Sequence, residues 1–125
     1  LVEGRTLPLA PDDILSLPLA SAKNWPDDWT AWADATGSAL AKDLAPHQYE
    51  SRAFMFDSAL SGQAVILADP RMTSADESAS RLVCLTERSV QRSQGIHIVT
   101  PSSAIGRKLQ IFSDWMKAEA QVVRR

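Results

Sequence analysis

The chain has 125 residues, with 13 lysines and arginines, 15 aspartates and glutamates, and a formal net charge of −2. This length suits one modest domain that can bury a core without metals or disulfides. Its 45% hydrophobic and 22% charged residues argue against a disordered or collagen-like chain. The single cysteine, Cys84, excludes an intramolecular disulfide and fits a reducing compartment such as the cytoplasm. The longest apolar run, Ala64–Ala68, is too short to cross a membrane.

The charges are unevenly distributed along the chain. Residues 1–62 carry 4 basic and 9 acidic side chains, whereas residues 63–125 carry 9 basic and 6 acidic ones. The basic residues of the second half gather near its end, at Arg107, Lys108, Lys117, Arg124 and Arg125. This pattern indicates the polar side of a terminal helix rather than a nucleic-acid-binding face.

The first predicted elements are two helices separated by a strand. Pro11 and the two aspartates after it open a short helical turn, and Leu19–Ala20 start a strand. A second helix is predicted from a cap at Asn24, with Pro26 in its first turn, to a left-handed stop at Gly37. Its apolar face has the spacing i, i+3, i+4, i+7 and consists of Trp29, Trp32, Ala33 and Thr36.

The middle of the chain predicts a strand, a helix and a second strand. The strand covers about His47–Glu50, and Ser51 is placed to cap a helix that runs through Ser61. Val65–Ala68 then form a fully apolar strand. Runs of this kind suit a parallel sheet that is covered on both faces.

The last third of the chain continues the alternation. A helix is predicted over 69–80, a weaker strand over 82–85 and a further strand over 96–99. Ser102 or Ser103 caps the final helix, whose apolar positions are Ile105, Leu109, Phe112 and Met116. Strands that alternate with helices predict an α/β fold with right-handed crossovers.

No part of the sequence has the pattern of an enzyme site. The histidines His47 and His97 and the thiol of Cys84 share no spacing typical of metal ligands. Cys84 lies in a strand-like run, where burial would leave its thiol inert. There is no nucleophile elbow, and the five glycines form no phosphate-binding loop. We therefore expect neither catalysis nor a bound metal or cofactor.

Four residues are candidates for binding a ligand. Ser51 and Arg52 lie where a strand passes into a helix, so free backbone N–H groups, a hydroxyl and a guanidinium would form a site for a carboxylate or another polar ligand. Asp69 follows the apolar strand at its carboxyl end, where open α/β sheets bind ligands. His97 lies mid-strand and faces away from its isoleucine neighbours. Each has a structural alternative: a helix cap for Ser51 and Asp69, a solvated side chain for Arg52, and a packed histidine for His97.

Two early stretches match patterns of a known family. Leu17–Leu19, followed by Trp29–Trp32 and Thr36–Gly37, is similar to HPLL…DWxxWLxxAG. Ser58–Val65 is similar to AALxGQGVAL and continues into Ala68–Met72.

Two later stretches extend the match. Arg81–Val83 is similar to GRLV, and Ile96–Pro101 with Phe112–Met116 and Ala118–Ala120 is similar to YYLVxP…FRDWLLAEA. Together, and in this order, the four stretches resemble the C-terminal part of the effector-binding domain of LysR-type transcriptional regulators. The likeness is greatest to the branch that includes the glycine-cleavage activator and the β-lactamase regulator.

Three residues depart from the family pattern. Ser58 stands in place of an alanine, and Ala64 and Ser80 stand in place of glycines. Side chains restrict backbone conformations that glycine permits, so we expect altered turn geometry at Ala64 and Ser80.

The resemblance implies a subdomain like those of type II periplasmic-binding proteins, with a Rossmann-like mixed sheet and flanking helices. Residues 1–94 would form the second subdomain of the effector-binding domain. Residues 95–125 would form the returning crossover strand and a C-terminal helix that packs on the first subdomain. By position in the family, effector contacts would come from Ser51, Arg52 and His97. Because the chain begins at Leu1 rather than Met, we expect it to be part of a longer protein.

The expected function is therefore that of a non-catalytic sensing module. It would belong to a bacterial, cytoplasmic LysR-type regulator and bind a small-molecule effector in a cleft between two subdomains. The regulator would act as a dimer or tetramer and contact DNA only through a helix-turn-helix domain that this chain lacks. No membrane contact is expected. The alternative is an autonomous, non-catalytic domain whose exposed faces mediate protein interaction or oligomerisation.

Overall fold

A computed structural model describes residues 1–92, 97–100 and 105–122 of the chain. The chain divides into two compact units, residues 1–91 and residues 92–125. The first unit contains a small sheet with its helices, and the second contains the C-terminal helix.

The sheet of the first unit has three parallel strands. They are β1, Leu19–Ala22, β2, His47–Tyr49, and β3, Val65–Ile66, in the order β2-β1-β3. Ala20 of β1 is in register with His47 of β2 and with Ile66 of β3. All four residues of β1 are buried, as expected for a central strand with both faces covered.

Five α-helices and one 3₁₀ turn complete the described elements: α1 (Pro11–Leu15), α2 (Asp28–Thr36), the 3₁₀ turn (Ala39–Lys42), α3 (Arg52–Leu60), α4 (Pro70–Ser78) and α5 (Arg107–Val122). The α/β fold class is thus confirmed, as a parallel sheet flanked by helices. Helix α5 is the one element of the second unit in the described part of the chain.

Two clusters of buried side chains cover the faces of β1. On one face, Leu19 packs with residues of α1 and α2, among them Ile14, Trp29 and Trp32. On the other face, Ala20 and Ala22 pack with Met55 of α3. Side chains alternate between the faces of a strand, so this division follows directly from the order of residues in β1.

The buried indole of Trp29 ties α2 to the sheet. Trp29 is 1% exposed, and its Nε1 donates a hydrogen bond to the carbonyl oxygen of Ala20 at 2.8 Å. Its ring centroid lies 5.9 Å from that of Trp32, in an edge-to-face arrangement. The predicted apolar face of this helix is confirmed, since Trp29, Trp32 and Ala33 are buried.

The predicted end of α2 is confirmed, but its predicted start is wrong. Gly37 ends the helix in the left-handed conformation, with φ of 71°. The residue at the N-cap is Asp27 rather than Asn24. The chain first makes a turn after β1, in which the backbone N–H of Trp25 donates to the carbonyl of Ala22 at 2.8 Å.

Two predicted strands are not formed among the described residues. Residues 82–85 pair with no strand: the N–H of Leu82 donates to the carbonyl of Asp76 in α4, and the carbonyl of Leu85 accepts from the N–H of Leu9, whereas a ladder needs several bonds to one neighbouring strand. Cys84, expected to be buried there, is exposed. Residues 97–99 are not in a strand, and Val99 is 89% exposed. Ile96 lies outside the described residues, as do the predicted caps Ser102 and Ser103.

The backbone after α4 turns through a residue in the left-handed conformation. Ser80 has φ of 56°, a left-handed conformation that is uncommon for residues other than glycine. The backbone N–H of the following residue, Arg81, donates to the carbonyl of Asp76, which closes the end of the helix. Ser80 thus occupies a backbone conformation that glycine adopts more readily.

Candidate ligand-binding site

The carboxyl ends of the three strands meet at one edge of the sheet, because all three strands run in the same direction. Each strand is followed by a helix, so α2, α3 and α4 all begin after a strand's carboxyl end. We call the last residues of these strands, the connections that follow them and the first turns of these helices the carboxyl edge. Helix N-termini present free N–H groups and a positive dipole end, which favour negatively charged groups.

Ser51 caps α3, as predicted. Its backbone is extended, with φ of −141°, and its hydroxyl accepts a hydrogen bond from the backbone N–H of Phe54 at 3.5 Å. This bond is long, and it uses one acceptor position of a hydroxyl that can both donate and accept. The Ser51 hydroxyl therefore keeps the capacity to contact a ligand while it caps the helix.

Arg52 is packed across the carboxyl edge rather than extended into solvent. Its guanidinium carbon lies 4.6 Å from the ring centroid of Trp25, which follows β1. Its Nη2 is 3.5 Å from a carboxylate oxygen of Asp28, in the first turn of α2. Its Nε is buried and has no hydrogen-bond partner. The guanidinium is thus fixed in place with hydrogen-bonding capacity left over.

Asp69 caps α4 and is held by Arg71. Its carboxylate accepts hydrogen bonds from the backbone N–H of Arg71 at 2.9 Å and from the Nε of the same residue at 2.9 Å. The side-chain hydrogen bond from Arg71 is the main reason that the pKa of Asp69 falls from 3.8 to about 2. The positive charge of Arg52 makes the smallest contribution to this lowering of the pKa.

His97 belongs to the second unit. It is exposed and lies outside any strand, whereas the prediction placed it in the middle of one. The structure therefore groups Ser51, Arg52 and Asp69 within the first unit and does not add His97 to them.

Three residues of the carboxyl edge were not predicted from the sequence. Trp25 and Asp28 hold the guanidinium of Arg52, and Ser21, near the end of β1, has a buried hydroxyl with no hydrogen-bond partner. The available signal was position, because each of the three lies at or just after the end of a predicted strand. The contacts of Trp25 and Asp28 with Arg52 depend on how separate strands pair, and so does the missing hydrogen-bond partner of Ser21.

Two open grooves, each of about 540 Å³, lie away from these residues. The first is lined by α3 and its neighbours Tyr49 and Gln63, and the second by two segments around Pro8 and Cys84. Neither groove is lined by Ser51, Arg52 or Asp69. These two grooves are therefore separate from the candidate site residues.

The described residues contain no cluster of three side chains that could hold a metal ion. Among their helices, none combines the length and the apolar character needed to traverse a bilayer. Comparisons of the chain with protein-family models, curated proteins and solved structures found no match.

Proposed function

We propose that this chain is the effector-sensing part of a bacterial, cytoplasmic LysR-type transcriptional regulator and performs no catalysis. The observation that carries this proposal is the grouping of Ser51, Arg52 and Asp69 at the carboxyl edge of a parallel sheet. Open α/β sheets bind their ligands at this edge. The order of the four resembling sequence stretches supports the family, and the alternation of strands and helices agrees with a periplasmic-binding-protein-like subdomain.

Arg52 is suited to recognise a negatively charged part of the effector. Its stacking on Trp25 orients the guanidinium before any ligand arrives, which lowers the entropy lost on binding. Asp28 lies 3.5 Å away, too far for a strong bidentate pair. A ligand carboxylate could take two N–H groups of Arg52 in parallel, with the Ser51 hydroxyl as a further contact.

The open carboxyl edge would form one wall of the proposed cleft. In this proposal the other wall is the first subdomain of the longer regulator, and His97 belongs to a crossover between the subdomains. An effector that contacts both walls favours their closed arrangement. The resulting shift is limited by the difference in its affinity for the two arrangements.

The experiment is a thermal-shift screen of the chain against a library of small metabolites. The test variant is Arg52→Gln, and the matched control is Arg88→Gln, an exposed arginine that lies away from the carboxyl edge. We expect at least one metabolite to stabilise the wild type and Arg88→Gln but not Arg52→Gln. Equal stabilisation of Arg52→Gln, or no stabilising metabolite, would contradict the proposal. In a longer protein that carries the helix-turn-helix, Ser51→Ala and His97→Ala should blunt the effector response and leave DNA affinity unchanged.

A second candidate function is that of an interaction or oligomerisation domain. The observation that favours it is a set of large apolar side chains exposed on or next to α5: Ile105, Leu109, Ile111, Phe112, Trp115 and Met116. The two candidates are not exclusive, because the carboxyl edge and α5 belong to different units.

A further inference from the structure

The groove beside α3 carries side chains that the proposed function does not use. Its volume of about 540 Å³ is in the range of small-molecule sites. It is lined by Tyr49, Phe54, Asp57, Ser58, Ser61 and Gln63. All six belong to one continuous stretch of the first unit, so the groove is built by residues of that unit. Ser51, Arg52 and Asp69 do not line it.

Two aromatic side chains supply apolar walls to this groove. Phe54 of α3 is 59% exposed, although burial of such a side chain is favourable. Tyr49, the last residue of β2, is half-buried, and its ring centroid lies 4.7 Å from that of His47, in an edge-to-face contact that orients it. The faces of aromatic rings carry partial negative charge and attract cations. The walls therefore suit a ligand that is apolar in one part and positively charged in another.

The polar groups of the groove offer mainly hydrogen-bond acceptors. The hydroxyl of Ser58 donates its proton to the carbonyl of Met55 at 2.6 Å, and the hydroxyl of Ser61 donates to the carbonyl of Ser58 at 3.1 Å. Each hydroxyl oxygen then has only lone pairs left for a ligand. The carboxylate of Asp57 accepts only, and its side chain has no ion-pair partner in the part of the chain that the structure describes. A ligand that pairs with these three groups must supply N–H or O–H donors.

The end of α3 adds negative potential at the same place. Asp57 lies in the last turn of this helix, where the helix dipole is also negative, so the carboxylate opposes the dipole. No basic residue lies in that turn to balance either charge, and none of the residues that line the groove is basic. A cation bound in the groove would be attracted by the carboxylate and by the dipole together. The groove is therefore complementary to a positively charged donor of hydrogen bonds.

We propose that this groove binds a primary organic ammonium ion, an –NH₃⁺ group on a short apolar or aromatic stem. The ammonium group donates hydrogen bonds to the carboxylate of Asp57 and to the hydroxyl oxygen of Ser61. The stem packs against the rings of Phe54 and Tyr49. This site goes beyond the proposed function, because its ligand has the opposite charge to the group that Arg52 is suited to recognise.

The test is a titration of the whole chain with phenethylammonium chloride, followed by amide proton–nitrogen correlation spectra. Because the groove is open and Asp57 is exposed, we expect weak binding, with a dissociation constant of roughly 1 mM. The shifts should saturate and lie in the amides of residues 49–63. Phenethyl alcohol has a similar size but no charge, and it should bind at least about fivefold more weakly.

Two variants with the same change of charge complete the test. Asp57→Asn should weaken binding of phenethylammonium about fivefold, whereas Asp34→Asn, at an exposed aspartate of α2, should leave it unchanged. The spectra themselves show whether each variant is folded. The proposal is overturned by the absence of saturable shifts up to about 20 mM ligand, where a millimolar site is filled. Equal affinity for the alcohol, equal affinity of the two variants, or shifts centred outside residues 49–63 would each overturn it as well.

Discussion

Replacing Trp29 with phenylalanine should destabilise the first unit by about 2–3 kcal/mol. The ring lies in the core at 1% exposure, so the smaller side chain removes roughly 40 Å² of buried apolar surface, worth about 1 kcal/mol. The hydrogen bond from Nε1 to the carbonyl of Ala20 is lost, at a further cost of about 1 kcal/mol. The void left beside Trp32 adds up to about 1 kcal/mol.

The assay is urea denaturation followed by circular dichroism at 222 nm, which does not depend on the tryptophan that is removed. With a slope of about 1–3 kcal/mol per molar urea, a loss of this size moves the midpoint by roughly 1 M or more. The matched control is Trp115→Phe in α5, where the ring is 54% exposed and the same change should cost under about 0.5 kcal/mol. Equal midpoints for the two variants would refute the assignment of Trp29 to the core.

Three further predictions concern single residues. The pKa of Asp69 is lowered from 3.8 to about 2, so its ionised form stabilises the folded chain. This contribution to the free energy of unfolding is present above pH 3.8 and is lost as the pH falls through 2. Because the side chain is 36% exposed, we expect it to amount to about 1 kcal/mol. Asp69→Asn should remove that part of the acid dependence, and unchanged urea midpoints between pH 5 and pH 2.5 in both proteins would contradict it. Gly37→Ala should lower the free energy of unfolding by about 1 kcal/mol, because φ of Gly37 is 71°. The control Gly106→Ala, at a residue without positive φ, should not lower it, and thermal denaturation of both variants measures the difference. Ser51→Ala should cost about 0.5–1 kcal/mol of stability through the lost cap, and Ser51→Asp should restore it; equal losses would exclude a capping role.

The parallel sheet was predictable because its signals are local. The apolar run that contains β3 and the alternation of strands with helices both indicate a parallel α/β arrangement. The stop at Gly37 and the cap at Ser51 were predictable for the same reason, since each depends on one residue and its immediate neighbours. Caps and left-handed stops are properties of about one helical turn.

The strand predicted over 82–85, and the described part (97–99) of the strand predicted over 96–99, did not form because each needed a neighbouring strand. An apolar stretch indicates that a segment is suited to burial, but a strand forms only where another strand supplies hydrogen bonds along its length. The carbonyl of Leu85 accepts one such bond, from the N–H of Leu9, and the rest of the segment has no neighbouring strand with which to pair. No pattern within the segment itself carries that information.

The candidate site was predicted in part for a related reason. Ser51 and Arg52 were found because they follow a strand and open a helix. Trp25 and Asp28 were not assigned to the site, because they follow β1 whereas Arg52 follows β2. Their contacts with Arg52 join two stretches that are distant in the sequence.

The exposed thiol of Cys84 affects how any association of this chain is measured. It is the chain's single cysteine, so air oxidation can join two copies through one covalent bridge and through no other. Such a bridge would disappear on addition of dithiothreitol. Sedimentation in the presence of reductant, or of a Cys84→Ser chain, therefore separates chemical cross-linking from non-covalent association.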